Sequence, residues 1–154
     1  MDKVEETLAE MGFTLPGTTA PQANYVPFVV VDKLAFVSGQ ISIDESGALI
    51  TGKIGADLDL EAGVKAAQRC ALNLLAQAKA AAGGEFTGLK RVVKLTGFVN
   101  STPDFTQQPQ VINGASDLLV EALGDAGRHS RSAVSAGALP LNVAVEIEGI
   151  FELI

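Results

Sequence analysis

The chain has 154 residues, 47% of them hydrophobic and 19% charged, with one Cys, one His, no Trp and a net charge of −7. That length suits a single globular domain over 1–154, able to bury about 70% of the surface its unfolded chain exposes. One Cys excludes an intrachain disulfide, one Cys with one His cannot supply a zinc site of the usual kind, and the acidic excess disfavours a phosphate-tracking nucleic-acid binder.

Residues 2–11 carry Val4, Leu8 and Met11 at i, i+4 and i+7, which predicts a short amphipathic helix stopped by Gly12. This charged start is no signal peptide, and no apolar run reaches the ~18–20 residues a membrane helix needs. A soluble cytoplasmic protein is expected. Residues 13–24 read as loop, broken by Pro16, Gly17 and Pro21. Phe28–Val31 and Leu34–Val37, separated by Asp32 and Lys33, read as a tight hairpin whose second strand ends before the turn at Asp44–Gly47.

A long helix is predicted over 60–82, where Leu60, Val64, Ala67, Ala71, Leu74, Ala78 and Ala81 repeat at helical spacing before Gly83 and Gly84. Its Ala-rich stripe lets it lie close to a sheet. Residues 89–99 read as a strand. Ser101-Thr102-Pro103-Asp104 has the form of a helix start, and Pro109 restarts a main helix with the stripe Ile112, Ala115, Leu119 and Ala122. Residues 131–137 and 142–153 read as the last two strands, joined around Leu139-Pro140.

The order β-β-α-β-α-β-β behind an N-terminal helix predicts an α+β two-layer domain, with a mixed β-sheet and two helices on one face. In the last strand Val143, Val145, Ile147, Phe151 and Leu153 alternate with Asn142, Glu146, Glu148 and Glu152. The first set should meet the helices and the second should point away. Yet Phe28–Val31 and Val92-Val93 place bulky apolar residues on both faces, so the second face is expected to be covered by further copies of the chain. Glu146 then falls at or near a subunit boundary.

Conventional catalytic motifs are sparse. Ser130 and Ser132 flank Arg131 without a nucleophile elbow. Gly83-Gly84-Glu85 lacks the Lys of a phosphate loop and reads as a helix cap. Cys70 reads as a small buried hydrophobe and His129 as a turn residue. Arg131 opens a strand of otherwise small residues, which leaves its guanidinium room to pair with a carboxylate in a bidentate manner. The alternative is a rim salt bridge to one of the chain's own acids.

The segment RSAVSAGALPLNVAVEIEGI, residues 131–150, resembles the C-terminal hallmark of the Rid family (RidA/YjgF-like proteins, often labelled endoribonuclease L-PSP): an Arg-Ser start, a Leu-Pro nine and ten positions in, and a V-E-I-E strand. Upstream, Val37-Ser38-Gly39-Gln40-Ile41 resembles the family's S-G-Q strand end, with Tyr25 at the family's interval before it. The resemblance covers residues 25–154 and leaves 1–24 as an N-terminal helix and loop extension.

The resemblance implies a chorismate-mutase-like fold assembled as a homotrimer with clefts between subunits. It also implies hydrolysis of reactive 2-imino or enamino acids to 2-keto acids and ammonia, with no cofactor and no metal. Arg131 matches the arginine that clamps the substrate carboxylate, and Glu146 the acid that orients or activates water. Tyr25, Ser38 and, more loosely, Asn113 match cleft-lining residues. Gly39 would allow close approach of substrate or backbone, or serve a bulge. Two departures are visible: Ala133 stands where the family has a Cys, and the segment around 102–119 differs from the family pattern. The alternative function is non-catalytic binding of small carboxylate metabolites in the same cleft. Single-stranded RNA cleavage is disfavoured by the acidic charge, and neither nucleic acid nor membrane is an expected partner.

Overall fold

The computed structural model describes residues 2–18 and 23–154. Pro21, one of the breakers of the first loop, lies outside the described residues. The elements run α1 (Lys3–Glu10), β1 (Phe28–Val31), β2 (Leu34–Ile41), α2 (Leu60–Ala81), β3 (Leu89–Asn100), α3 (Gln108–Leu123), β4 (Ser130–Ala136) and β5 (Val145–Leu153). The predicted order is the observed one. No helix among the described residues is long and apolar enough to cross a membrane.

The five strands form one mixed sheet in the order β1-β2-β5-β3-β4. Its one parallel pair is β3 with β4, and the chain between those two strands forms α3. The β1–β2 hairpin closes as the sequence predicts, pairing Val31 with Leu34 across Asp32 and Lys33. Asp32 takes a left-handed φ of 54°, a conformation that short polar side chains tolerate.

The helices cover one face, packing on the inward residues of alternate strand positions. Ala35, Val37, Leu95, Val99, Val145, Ile147 and Phe151 are buried there, against Ala66, Ala67, Cys70, Ala71, Leu74 and Ala78 of α2 and Ile112, Ala115 and Leu119 of α3. The small side chains of α2 permit close packing, and the Cys70 Sγ sits 3.5 Å from the Val145 carbonyl oxygen. Complete burial pushes the Cys70 thiol far above its ordinary pKa, which suits a packing role. Asp59 caps α2 by accepting from the Ala62 N–H at 2.8 Å, and Gly83 and Gly84 leave it at left-handed φ values of 87° and 94°.

The N-terminal helix belongs to this layer: Leu8 is fully buried in the core, and Glu5 pairs with Lys79 of α2 at 2.9 Å.

The sequence reading fails at Ser101–Asp104. These residues form a bridge and a turn, and the helix begins only at Gln108. The backbone partners of this stretch lie far away in sequence. Ile54 N–H donates to the Asn100 carbonyl at 2.8 Å and Thr102 N–H donates to the Ile54 carbonyl at 3.0 Å, which holds the segment extended. The last strand also begins later than 142, because residues 140–142 form a short 3-10 turn in which Leu141 and Asn142 both have positive φ.

Candidate functional site

The last strand supplies the acid. Alternation along β5 buries Val145 and Ile147 under the helices and turns Glu146 to the open face, where Glu148 follows on the same side. Burial, and secondarily the charge of Glu148, hold the Glu146 carboxyl above its ordinary pKa. Glu146, Glu148, Phe98, Gly39 and Leu139 line an open depression of about 330 Å³.

Ser38 and Gly39 form a β-bulge. β2 advances three residues from Val37 to Gln40 while β5 advances two, from Gly149 to Ile147. The bulge brings Gly39 against Glu146, so closely that a Cβ at position 39 would collide with Oε1. The bulge reading of Gly39 is observed, and the group it admits in this chain is the Glu146 side chain. Ser38 donates its hydroxyl to the Val26 carbonyl at 2.9 Å, tying the exposed segment Tyr25–Val26 beside the bulge. Gly39 and Glu146 are therefore in direct contact, with Ser38 next to them in the bulge and Tyr25 adjoining the Val26 that Ser38 holds.

Arg131 lies elsewhere. It pairs with Leu95, whose side chain is buried under the helices, so Arg131 leaves β4 on the helix side of the sheet. There its guanidinium donates from Nη1 to the Ser116 Oγ at 2.9 Å and from Nη2 to the Pro109 carbonyl at 3.3 Å. Asn113 is exposed on α3 between these two contacts, since positions 109, 113 and 116 share one helix face. Among the described residues no carboxylate pairs with Arg131, so the rim salt bridge is not formed.

The six predicted residues thus fall into two groups. Glu146 shares its row with Phe98 and Val134 on the open face, whereas Arg131 points the other way from a strand two places removed. Strand spacing alone separates those strands by about 10 Å.

His129 and Ser116 are the residues that sequence reasoning undervalued. His129 Nδ1 is 2.6 Å from the Gly127 carbonyl and Nε2 is 2.9 Å from the Ser116 Oγ, so the imidazole is anchored at both ends. Burial above all holds its pKa below the ordinary value, against the opposing hydrogen bond to Gly127 and with a smaller push from the Arg131 charge. The available signal was the period of an extended segment, which places residues 129 and 131 on one side. A wider hollow of about 650 Å³ before α2 contains none of the predicted residues. Its two carboxylates, Asp57 and Asp59, are engaged by the backbone N–H groups of Lys53 and Ala62.

A mixed five-stranded sheet with its helices on one face, closed by a parallel β3–β4 pair, is the chorismate-mutase-like α+β fold. The chain belongs to the family described as "YjgF/chorismate_mutase-like, putative endoribonuclease", whose model matches residues 5–153. It is 43% identical over 152 residues to Protein TCP17 of Trypanosoma cruzi, covering 98% of this chain and 94% of that one. The crystal structure of Atu1372 from Agrobacterium tumefaciens, a protein of unknown function, superposes with a TM-score of 0.93 at 46% identity over 99% of this chain and 93% of that one. RidA from the Antarctic bacterium Psychrobacter superposes with a TM-score of 0.60 at 26% identity, over 88% and 93% of the two chains.

Proposed function

We propose that this chain hydrolyses reactive 2-imino or enamino acids to 2-keto acids and ammonia, in clefts between the subunits of a homotrimer. The observation that carries this reading is the division of the site. An acid with a raised pKa and its glycine-lined depression occupy one face of the sheet, and an arginine without a carboxylate partner occupies the other. Neighbouring copies can bring the two together, one supplying Glu146, Gly39, Ser38 and Tyr25 and the next supplying Arg131 and Asn113.

The open face supports such an assembly. Val29, Val31, Phe36 and Val134 are 51%, 55%, 42% and 43% exposed in the single chain, too much apolar surface to leave to water.

The chemistry follows from these groups. Arg131 holds the substrate carboxylate, which fixes the imine carbon relative to Glu146. Ionised Glu146 takes a proton from a water whose oxygen bonds to that carbon, while the C=N π pair passes to nitrogen. The acquired proton then goes to the amine, the C–N bond breaks, and the hydroxyl proton is lost as the carbonyl forms. Water and a protonated imine yield a 2-keto acid and ammonium, with no oxidant or reductant. A carboxyl whose pKa lies above the usual range accepts and returns that proton more evenly near neutrality.

The test generates 2-iminobutyrate or 2-aminoacrylate in situ and follows its disappearance. The wild type should accelerate its loss, and Arg131→Ala and Glu146→Gln should not. Refolding the two variants together at equal amounts should restore about a quarter of wild-type activity, because one junction in four then pairs an intact Arg131 with an intact Glu146. No recovery on mixing would refute the shared cleft. Absence of acceleration by wild type, with carboxylate binding that depends on Arg131, would establish a binding protein instead.

A further inference from the structure

Ser116 is a helical serine, and such hydroxyls commonly turn back onto the carbonyl four residues earlier. Here the Ser116 oxygen instead meets His129 Nε2 at 2.9 Å and Arg131 Nη1 at 2.9 Å. The direction of each bond follows from the partners. The Gly127 carbonyl can only accept, so Nδ1 of His129 carries the proton and Nε2 of the neutral ring accepts from the Ser116 hydroxyl. Arg131 can only donate, so it uses a lone pair of the same oxygen. The result is a one-way chain from Arg131 through Ser116 and His129 to the Gly127 carbonyl, in which the Ser116 hydroxyl and both His129 nitrogens are engaged.

We infer that His129 is a positioning residue for the anion site: by drawing the Ser116 proton to itself it turns the Ser116 oxygen to Arg131 and fixes the guanidinium plane for a substrate carboxylate. This rests on the reading of Arg131 as the carboxylate anchor. Ser116 and Pro109 engage two of the five guanidinium N–H groups, one at each terminal nitrogen, which leaves three to face a ligand. Without an acceptor at Nε2, the Ser116 hydroxyl returns to its own helix and its lone pairs leave Arg131. The guanidinium is then held by the 3.3 Å contact to Pro109 alone and samples several rotamers.

The probe is 2-oxobutanoate, a non-reactive 2-keto acid, titrated calorimetrically into the assembled protein. His129→Asn keeps the bond to Gly127 but cannot reach Ser116, whereas His129→Gln extends an amide oxygen toward the Nε2 position. We expect His129→Asn and Ser116→Ala each to weaken binding about tenfold, the size of one net hydrogen bond. His129→Gln should bind within about twofold of wild type, a rescue that a merely structural role for the ring would not produce. Thermal melts of all variants separate loss of fold from loss of binding. Arg131-dependent binding that both His129→Asn and Ser116→Ala leave unchanged would overturn the positioning role alone. Equal binding by wild type and Arg131→Ala would overturn the anchor itself, and this inference with it.

Discussion

Arg131 and Glu146 leave the same sheet in opposite directions, Arg131 from β4 to the helix layer and Glu146 from β5 to the open face, with β3 between them. Within one chain no side-chain rotation brings a guanidinium and a carboxylate so placed onto one small substrate. Two chains can do it. The relationship therefore makes the assembly part of the proposed chemistry, and it gives each half of the site its own supporting contacts.

Gly39→Ala tests the support of Glu146. The added methyl would occupy the space of the carboxylate, which is the movable end of a flexible side chain, and the backbone at Gly39 is not in the left-handed region. The carboxylate should swing aside at little cost to the fold. Turnover of an in-situ imine should fall by about 10²-fold, the usual penalty for misplacing a reacting group by an ångström, while the melting temperature stays within a few degrees. Full activity in Gly39→Ala would show that the Glu146 position is immaterial.

Glu146→Gln should stabilise the protein even as it abolishes turnover. Burial and Glu148 raise the Glu146 pKa, so the folded chain holds this proton more tightly than the unfolded chain does. That preference favours folding at acid pH and is lost as pH rises through the raised value. Melting curves should therefore place Glu146→Gln above wild type at pH 7, with the gap closing toward about pH 4, the ordinary range of an unperturbed glutamate. A gap that widens on acidification would contradict the assignment.

Phe36→Lys examines the open face. Phe36 pairs with Val29 on one side and Ile150 on the other, forming an apolar row across β1, β2 and β5. A charge there would be buried by any copy packed on that row, which is strongly unfavourable. Sedimentation should find wild type at three times the chain mass and Phe36→Lys at the mass of one chain. A variant that still sediments with wild type would move the interface elsewhere.

Leu8→Ala measures how far α1 belongs to the fold. Leu8 is fully buried, so truncation should cost about 2–5 kcal/mol in urea unfolding. Glu5→Gln removes only the partly exposed pair with Lys79 and should cost less than about 1 kcal/mol. Equal and negligible effects would make α1 an appendage.

Much of this architecture is readable from local pattern. The Asp32-Lys33 hairpin, the α2 stripe from Leu60 to Ala81 and the alternation around Glu146 each depend on neighbours within a few residues, and each is observed. Ser101–Asp104 looked like a helix start because its local signals are those of a cap. Its Thr102 N–H instead bonds to the Ile54 carbonyl, 48 positions away by sequence number, and distant partners leave no periodic trace. The same limit applies to the site. Arg131 stands out among small neighbours, but Ser116 gains meaning only when α3 is laid across β4. His129 was half legible, since its spacing from Arg131 is visible and its two bonds are not.

The place of β4 has a dynamic consequence. Among the described residues it is hydrogen-bonded to β3 along one side and to no strand along the other. Edge strands open locally at a fraction of the global unfolding free energy, so the amides of Ser130–Ala136 should be among the first in the sheet to exchange with solvent. Arg131 rides on that strand. Anything that slows the exchange of β4, whether an adjoining chain or a bound carboxylate, would also sharpen the aim of its guanidinium, so amide protection along this strand would serve as a gauge of readiness to bind.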